Sequence, residues 1–269
     1  MATILPHDDS RQPLLVRIGG ARWVSPLVLL ALWEIGARTG LIPARTLAAP
    51  SAVLATMGEM IASGELGHNV LVSLGRAGVG LAMGVLVGGL LAIVAGLSRR
   101  GEAAIDSPVQ MLRTLPTLAL TPLFIVWFGI GETPKIVLIA VATTFPVYLN
   151  LYNGIRGVDA RLIEAARAFG LTQGQIIRDV VLPGALPSLL VGLRYALSIS
   201  ILILVVAEQI NASSGLGYLI NNARDFMRTD FIVVCLMVYA ALGLGADAVV
   251  RLIERRSLVW RPTILEARS

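Results

Sequence analysis

Long apolar runs constrain this chain more than any other feature. Several of them approach or exceed the roughly 20 residues that cross a bilayer as a helix. Their length agrees with a mean hydropathy of +0.79 and with a charged fraction of only 14%. Backbone polar groups in lipid must be satisfied within the protein, and helices do this inside each segment. The sequence therefore predicts an all-α, polytopic membrane protein and disfavours a soluble enzyme.

Six spans are predicted from these runs. The first contains Glu34 and Arg38, which lie one turn apart and can neutralise each other, so we interpret it as an uncleaved signal-anchor helix. The second contains a seam of small residues, Gly80, Gly84 and Gly88, which would let another helix approach closely. The spans cover approximately residues 23–41, 70–97, 105–128, 135–152, 187–206 and 231–253.

The third predicted span is rich in proline. Pro108, Pro116 and Pro122 each lack a backbone N–H, so we expect them to bend or break the helix. Backbone groups that lose their partners at membrane depth must face protein or a water-filled cavity. Polar side chains near such breaks are therefore candidates for a translocation path.

The basic residues are distributed unevenly between the two sides that six spans define. Sixteen of the 22 lysines and arginines fall on the side that holds both termini. Since cytoplasmic segments are enriched in basic residues, both termini are predicted to be cytoplasmic. This bias explains the net charge of +5 without nucleic acid as a partner. The predicted organisation is a tail at 1–22, a membrane domain at 23–256 and a tail at 257–269.

A compact polar segment lies between the fourth and fifth spans, on the predicted cytoplasmic side. Asp159 can cap a helix over about 160–169, and Gly170 suits the left-handed conformation that ends a helix. Thr172 and Gln175 have the spacing of a capping box for a second helix. The segment is thus predicted to form a short helical hairpin. A solvated helical loop without a partner is the alternative that spacing leaves open.

The hairpin contains Glu164, Ala165, Ala166, Gly170, Leu182 and Pro183 at fixed spacings. This pattern resembles the EAA loop of ABC importer permeases. The loop pattern is EAA, three residues, Gly, nine residues, Ile, one residue, then Leu-Pro, and here Val180 replaces the Ile. Pro183 and Pro187 are expected to end the hairpin before the fifth span.

The resemblance extends over roughly residues 26–262. Blocks such as "APSAVLATM" (49–57), "FPVYLNLYNGIRGVD" (145–159) and "AEQINASSGLGYLINNARDFMRTD" (207–230) are similar to the permease branch for sulfonates, taurine, nitrate and some vitamin precursors. Within that branch the similarity is nearest to aliphatic sulfonate permeases.

The resemblance implies a six-helix, type I ABC importer transmembrane domain in the cell inner membrane. It implies as partners two ATPase subunits that bind ATP and Mg, a second copy of this permease in a homodimer, and a solute-binding protein. No cofactor is expected in this chain, because its only lysine, Lys135, lacks the sequence context of a P-loop. The EAA loop, 159–183, would couple to the ATPase through Glu164, Ala165, Ala166, Phe169, Gly170, Leu171, Leu182 and Pro183.

Polar residues near the broken helices are the candidates for the translocation path. Threonine hydroxyls in membrane helices often bond their own backbone, which is the structural alternative for them. Arg113 can contact an anion, or it can snorkel or pair with Asp106. Glu208 would repel an anion, so we interpret it as a structural hydrogen-bond acceptor or a gate element. The candidates are Arg113, Thr114, Thr117, Thr121, Tyr148, Asn150, Glu208 and Asn211.

Three further features have structural interpretations. The segment 213–219 is expected to turn at Gly215 and Gly217 into a short helix that packs as a loop or contacts a binding protein. Arg194 and Asp247 are expected to be partners. Cys235 is interpreted as a small buried hydrophobe.

The two histidines lack metal-ligand spacing, and no motif suggests catalysis, so neither a metal site nor an enzyme is predicted. The sequence instead predicts the permease subunit of an ATP-driven importer of a small anion, with aliphatic sulfonates as the cargo. Taurine, nitrate or a vitamin precursor is the alternative cargo. An ion-coupled secondary transporter is the alternative from another class, and it would need no ATPase.

Overall fold

The computed structural model describes residues 18–257, and this part of the chain consists of helices joined by short connections. Of the predicted tails, 1–22 and 257–269, only residues 18–22, which belong to the first helix, and residue 257 lie within the described residues. A 3-10 turn covers Thr117–Leu120, and a π-helical turn covers Ile177–Val181. The helices are α1 (Ile18–Arg38), α2 (Pro50–Ala62), α3 (Glu65–Leu97), α4 (Arg99–Arg113), α5 (Thr121–Phe128), α6 (Glu132–Arg156), α7 (Ala160–Ala168), α8 (Gln173–Ile176), α9 (Leu182–Gln209), α10 (Leu216–Asp225) and α11 (Thr229–Ser257).

Four helical segments of the described chain are long and apolar enough to cross a membrane. They are α3, α6, the run Gln173–Gln209 that contains α9, and α11. The pair Arg99–Arg113 and Thr117–Phe128 passes the same criterion together, as one span bent by 90°. The prediction of an all-α polytopic protein is confirmed. The count of six spans, which requires α1 to cross as well, stays a prediction.

The seam of glycines on α3 brings that helix against α6. A Cβ atom at Gly80 would lie 2.7 Å from Ile139, and one at Gly88 would lie 2.5 Å from the carbonyl oxygen of Thr144. These distances are too short for a side chain at either position, so the two helices can pack this closely only because both residues are glycine. The predicted seam is confirmed.

Buried residues form two clusters at different levels of the bundle. The first contains Leu138, Leu204 and Leu216, which bring together α6, α9 and α10. The second contains Leu151 and Ile176, which attach the α8 segment to α6. Helices α3, α6 and α9 each contribute buried residues to both clusters and together form the core of the described chain.

The third predicted span is broken rather than continuous. Pro116 precedes the 3-10 turn in an extended conformation (φ −65°, ψ 109°), and this position separates α4 from α5. Pro108 lies inside α4, and Pro122 occupies the first turn of α5, where its missing N–H has no helical partner to lose. Of the three prolines, only Pro116 ends a helix.

The prediction that Pro183 and Pro187 end the hairpin before the fifth span is wrong. Pro183 lies in the first turn of α9, and Pro187 lies inside that helix. The helical run from Gln173 to Gln209 includes the π-helical turn at Ile177–Val181. The second arm of the hairpin is thus the beginning of the membrane helix.

Candidate functional site

The EAA segment folds as the predicted hairpin. The Asp159 carboxylate accepts a hydrogen bond from the backbone N–H of Arg161 (2.9 Å), which caps the start of α7. Gly170 follows the helix with φ of +80°, in the region that favours glycine. The capping box of α8 is present, because Thr172 N donates to Gln175 Oε1 (2.8 Å) and Gln175 N donates to Thr172 Oγ1.

One face of this hairpin is apolar and exposed, whereas the other is fixed to the membrane domain. Leu162 and Phe169 are 57% and 84% exposed. Glu164 and Ala165 are also exposed, whereas Ala166 and Ile176 are buried against the second cluster. An exposed aromatic ring beside a small alanine is typical of a surface that seats in a groove on another protein.

The remaining predicted coupling residues lie around this surface. Leu171 is half-buried and packs against the second cluster, whereas Leu182 and Pro183 are exposed at the start of α9. The structure therefore brings most of the predicted coupling residues into one segment of surface. Their contact with an ATPase stays a prediction.

A ladder of side chains joins α4 to α6, the helix that precedes the hairpin. Tyr148 Oη donates to Asp106 Oδ1 (2.9 Å), and Tyr152 Oη donates to Glu102 Oε1 (2.6 Å). The two tyrosine rings stack with centroids 5.7 Å apart, and Arg156 pairs with Glu102. Because these residues recur every four positions, the ladder fixes the register of the two helices.

The ladder shows that Asp106 is not the partner of Arg113, which was one of the alternatives predicted for that arginine. Asp106 accepts hydrogen bonds from Tyr148 and from Gln110 (3.4 Å), and among the described residues it forms no hydrogen bond or salt bridge with Arg113. Arg113 is the last residue of α4, and its side chain is exposed. A carboxylate seven residues earlier lies two turns away, which explains why the tyrosine of a packed helix reaches it instead.

The carboxylate of Glu208, near the end of α9, is fully buried and saturated with donors. Arg76 Nη1 lies 2.6 Å from Glu208 Oε1, and Ser73 Oγ lies 2.7 Å from the same oxygen. Tyr239 Oη (3.0 Å) and the backbone N–H of Gly217 (2.9 Å) donate to Oε2. The geometry agrees with the interpretation of Glu208 as a structural acceptor, because little of its hydrogen-bonding capacity is left for cargo.

Arg76 extends this network to α6 and to the connection before α10. Its guanidinium binds both carboxylate oxygens of Glu132 and donates to the carbonyl oxygen of Ser214 (2.7 Å). Asn69 accepts from the N–H of Gly215 (2.7 Å), whose φ of +106° makes the predicted turn into α10. Gly217 lies within α10 rather than at the turn.

Five members of this network were not predicted from the sequence, although one signal was available. Arg76 and Glu208 each lie in an apolar run, and intramembrane charges usually pair with one another. Their small and hydroxyl-bearing neighbours carried no such signal. The members that were not predicted are Asn69, Ser73, Arg76, Glu132 and Tyr239.

The candidate path residues do not form one continuous site. Thr114 and Thr121 donate to backbone oxygens of their own segments, Met111 O and Leu118 O, at 2.7 Å each. Asn150 donates to Pro146 O (2.8 Å). The structure brings Thr121 together with Asn211 in a cleft beside Lys135. The Tyr148 hydroxyl donates to Asp106 in the ladder between α4 and α6, and Thr117 is half-buried in the 3-10 turn.

Two further predicted pairs are present. Arg194 lies 3.7 Å from Asp247, as expected, and makes a shorter contact of 2.5 Å with Glu254. Arg38 donates to Glu34 at 2.5 Å, and Glu34 also accepts from the side chain of Ser51 (2.7 Å), which links α1 to α2. Within residues 18–257, no group of three or more His, Cys, Asp and Glu residues is arranged to hold a metal.

The bundle of apolar helices, the bent span and the hairpin with an exposed apolar face define a polytopic, all-α membrane domain. Solved structures share this fold. The chain is similar to a subunit of an amino acid ABC transporter crystallised with histidines, with a TM-score of 0.62, 20% identity, and coverage of 74% of this chain and 97% of that one. It is also similar to the MetNI methionine ABC transporter, with a TM-score of 0.55, 22% identity, and coverage of 67% and 92%.

The sequence places the chain within a family. Residues 80–259 match the model of the binding-protein-dependent transport system inner membrane component, and the chain belongs to this family. It is therefore a multi-pass permease component of the inner membrane.

Named relatives span nearly the same length. The aliphatic sulfonates transport permease protein SsuC of Escherichia coli K12 is 45% identical over 90% of this chain and 92% of the relative. SsuC of Bacillus subtilis 168 is 45% identical over 88% and 86%. The taurine transport system permease protein TauC of Escherichia coli K12 is 35% identical over 87% and 86%.

Proposed function

We propose that this chain is the permease subunit of an ATP-driven importer of aliphatic sulfonates. Its partners are two ATPase subunits that hold ATP and Mg, a second copy of the permease and an external solute-binding protein. The chain itself performs no hydrolysis. The 45% identity to two aliphatic sulfonate permeases, against 35% to the taurine permease, supports the cargo.

The exposed apolar face of the hairpin is the main support for a role in coupling to an ATPase. Phe169 is 84% exposed and lies next to a helix terminus at which Gly170 holds a left-handed turn. A large apolar side chain in this position is stabilised when a partner covers it. Membership of the family of binding-protein-dependent transport components supports an ATPase subunit as this partner, with the apolar face bound in a groove on its surface.

The hairpin is connected to two membrane helices that pack along each other. Helix α7 begins four residues after α6 ends, and α8 continues through the π-helical turn into α9. Gly192 on α9 fits against α6, where a Cβ atom would lie 2.9 Å from Asn150 Cβ. When ATP closes the ATPases, movement of the hairpin therefore displaces α6 and α9 together and turns the cavity outward, and hydrolysis resets it.

Cargo is tested by uptake in a strain that lacks this permease. We expect reintroduction of the chain to restore growth on ethanesulfonate or butanesulfonate as the sulfur source, together with uptake of the labelled compound. Restored uptake of taurine or nitrate with unaltered alkanesulfonate uptake would overturn the sulfonate assignment. Uptake that persists without any ATPase would support the ion-coupled alternative instead.

Coupling is tested at Gly170. Valine at a φ of +80° is strained, at a cost of about 1–2 kcal/mol, and we expect Gly170→Val to abolish ATPase recovery with the purified permease. Gly174→Val is the matched control, because Gly174 lies in α8 without a positive φ and no atom lies within 4 Å of the added Cβ. Equal recovery and transport in both variants would contradict the coupling role.

A further inference from the structure

A narrow cleft lies between α5, the first turns of α6 and the end of α9. Its apolar lining includes Ile125, Leu138 and Ile210, and its polar lining includes Thr121, Lys135 and Asn211. Apolar surface next to a single cationic side chain matches the chemistry of an alkanesulfonate, which joins an alkyl chain to a small anion.

Lys135 is buried to an unusual degree for a lysine. The residue is only 5% exposed, and among the described residues its ammonium has one hydrogen-bond partner, Glu132 Oε1 at 3.0 Å. An ammonium group has three N–H donors. Burial of a cation is costly unless anionic or polar partners surround it, so this ammonium has the capacity to bind a further acceptor.

Glu132 does not depend on Lys135 for a counter-ion. Its side chain is 51% exposed, and Arg76 binds both of its carboxylate oxygens. Arg76 also binds Glu208, so two cations balance two carboxylates in this group. An anion that replaced Glu132 on Lys135 would therefore leave Glu132 paired with Arg76, and no buried carboxylate would lose its only partner.

We propose that Lys135 binds the sulfonate head of the cargo during translocation, where the head replaces Glu132, and that Ile125, Leu138 and Ile210 bind the alkyl chain. This inference rests on the proposed function and identifies the residue that recognises the cargo within the membrane domain. The Asn211 amide, beside the cleft, is a second donor for a sulfonate oxygen.

The cleft must widen for this binding to occur. Its volume in this structure is about 20 Å³, which is room for about one water molecule. Helix α5 is only eight residues long and is separated from α6 by the segment Gly129–Gly131, in which Gly129 has φ of +76°. A short helix between two breaks can move relative to α6 and α9, as alternating access requires.

The alternative role for Lys135 is that of a structural counter-ion for Glu132, and two variants separate these roles. A structural pair predicts similar defects for Lys135→Met and Glu132→Gln. Cargo binding predicts that Lys135→Met lowers uptake, whereas Glu132→Gln removes the competing carboxylate and preserves it. The side-chain amide that Glu132→Gln introduces can still accept from Arg76, so the rest of the network is retained.

The experiment uses the complete complex, with ATPase and binding protein, in proteoliposomes with ethanesulfonate or butanesulfonate. For Lys135→Met we expect uptake to fall about tenfold or more, since a charge-assisted hydrogen bond is lost, while the stimulation of ATPase activity by loaded binding protein persists. Glu132→Gln and Lys135→Arg are expected to transport. Wild-type uptake by Lys135→Met, or equal losses in Lys135→Met and Glu132→Gln, would overturn the proposal.

A second measurement does not depend on any variant. Because Lys135 is the only lysine of the chain, reductive methylation followed by mass spectrometry reports on this one side chain. We expect turnover with butanesulfonate to protect Lys135, and turnover without cargo not to do so. Equal labelling in a complex that transports butanesulfonate would overturn the site alone, whereas a wild-type complex that transports no alkanesulfonate would overturn the proposed function as well.

Discussion

The buried carboxylate of Glu208 is bound by donors from three other elements. Arg76 and Ser73 belong to α3, Gly217 belongs to α10 and Tyr239 belongs to α11. Both charged partners are nearly inaccessible, with side-chain exposures of 4% for Arg76 and 0% for Glu208. Removal of one buried partner leaves the other uncompensated, which costs far more than the loss of a surface pair.

Glu208→Gln tests this network at the level of one residue. In the wild type, hydrogen-bond donors surround both carboxylate oxygens of Glu208. In the variant, the N–H groups of the new amide replace one of these oxygens and face the same donors, and Arg76 loses its fully buried counter-ion. We expect a destabilisation of about 3–5 kcal/mol, measured as a lower midpoint of thermal unfolding of the purified permease in detergent. Asp225→Asn is the control, because its pair with Arg224 is exposed and little change is expected. Equal midpoints for Glu208→Gln and the wild type would contradict this role.

At the scale of residues, features that depend on local hydrogen bonds were predictable from the sequence. The cap at Asp159 and the box at Thr172 and Gln175 follow from hydrogen bonds within three residues, and both are present. The partner of Asp106 was not predictable in this way, because Tyr148 lies 42 positions away and reaches it only through the packing of α4 on α6. Long-range partners depend on how two helices pack along each other, which local pattern does not determine.

At the level of elements, the contact between α3 and α6 depends on glycines that face a helix backbone. A side chain at Gly84 would overlap Thr143 and approach the carbonyl oxygen of Ala140 within 2.6 Å. At Gly89, also on α3, no atom lies within 4 Å of an added Cβ. Both positions are glycines of α3, but Gly84 packs against α6 whereas Gly89 faces open space.

Gly84→Ala and Gly89→Ala therefore form a matched pair. Alanine favours the helix equally at both positions, but at Gly84 it forces the helices apart, at a cost of about 1–3 kcal/mol. We expect Gly84→Ala to unfold at a lower temperature and Gly89→Ala to match or exceed the wild type. A midpoint for Gly84→Ala equal to that of Gly89→Ala would show that α3 and α6 are not in close contact in the protein.

The prolines near the hairpin show that the ends of helices cannot be predicted from proline positions alone. Proline is a sound signal for a helix break, and it holds at Pro116. The signal fails at Pro183 and Pro187 because the helical run from Gln173 to Gln209 continues through both residues. Whether a proline begins, bends or ends a helix depends on the neighbouring turn, here a π-helical one, and no pattern in this sequence indicated that turn.

At the level of the whole molecule, the orientation in the membrane rests on the bias of basic residues. This bias predicts that the hairpin is cytoplasmic and that α10 and the connection after it are on the outer side. Helix α1 is exposed along most of its described surface and is linked to α2 through Glu34 and Ser51. Whether α1 crosses the membrane decides between six spans and five.

Single-cysteine labelling in intact cells tests both questions. The native Cys235 is fully buried, so the wild type is expected to remain unlabelled by a membrane-impermeant maleimide and serves as the background. We expect Phe226→Cys, at a 74% exposed position, to label from outside, and Leu162→Cys, at a 57% exposed position, to label only after the membrane is opened. The reverse pattern would invert the predicted orientation and move the hairpin away from any cytoplasmic ATPase.

The span count follows from a second pair on either side of α1. Ser10 lies in the predicted N-terminal tail, and Arg45 lies in the exposed connection between α1 and α2. If α1 crosses, Arg45→Cys labels in intact cells and Ser10→Cys does not, and both label after lysis. Labelling of both in intact cells would place α1 on the outer membrane surface, where the exposed pair of Glu34 and Arg38 would remain hydrated. The molecule would then have five spans, and its two ends would lie on opposite sides of the membrane, contrary to the prediction from the basic residues.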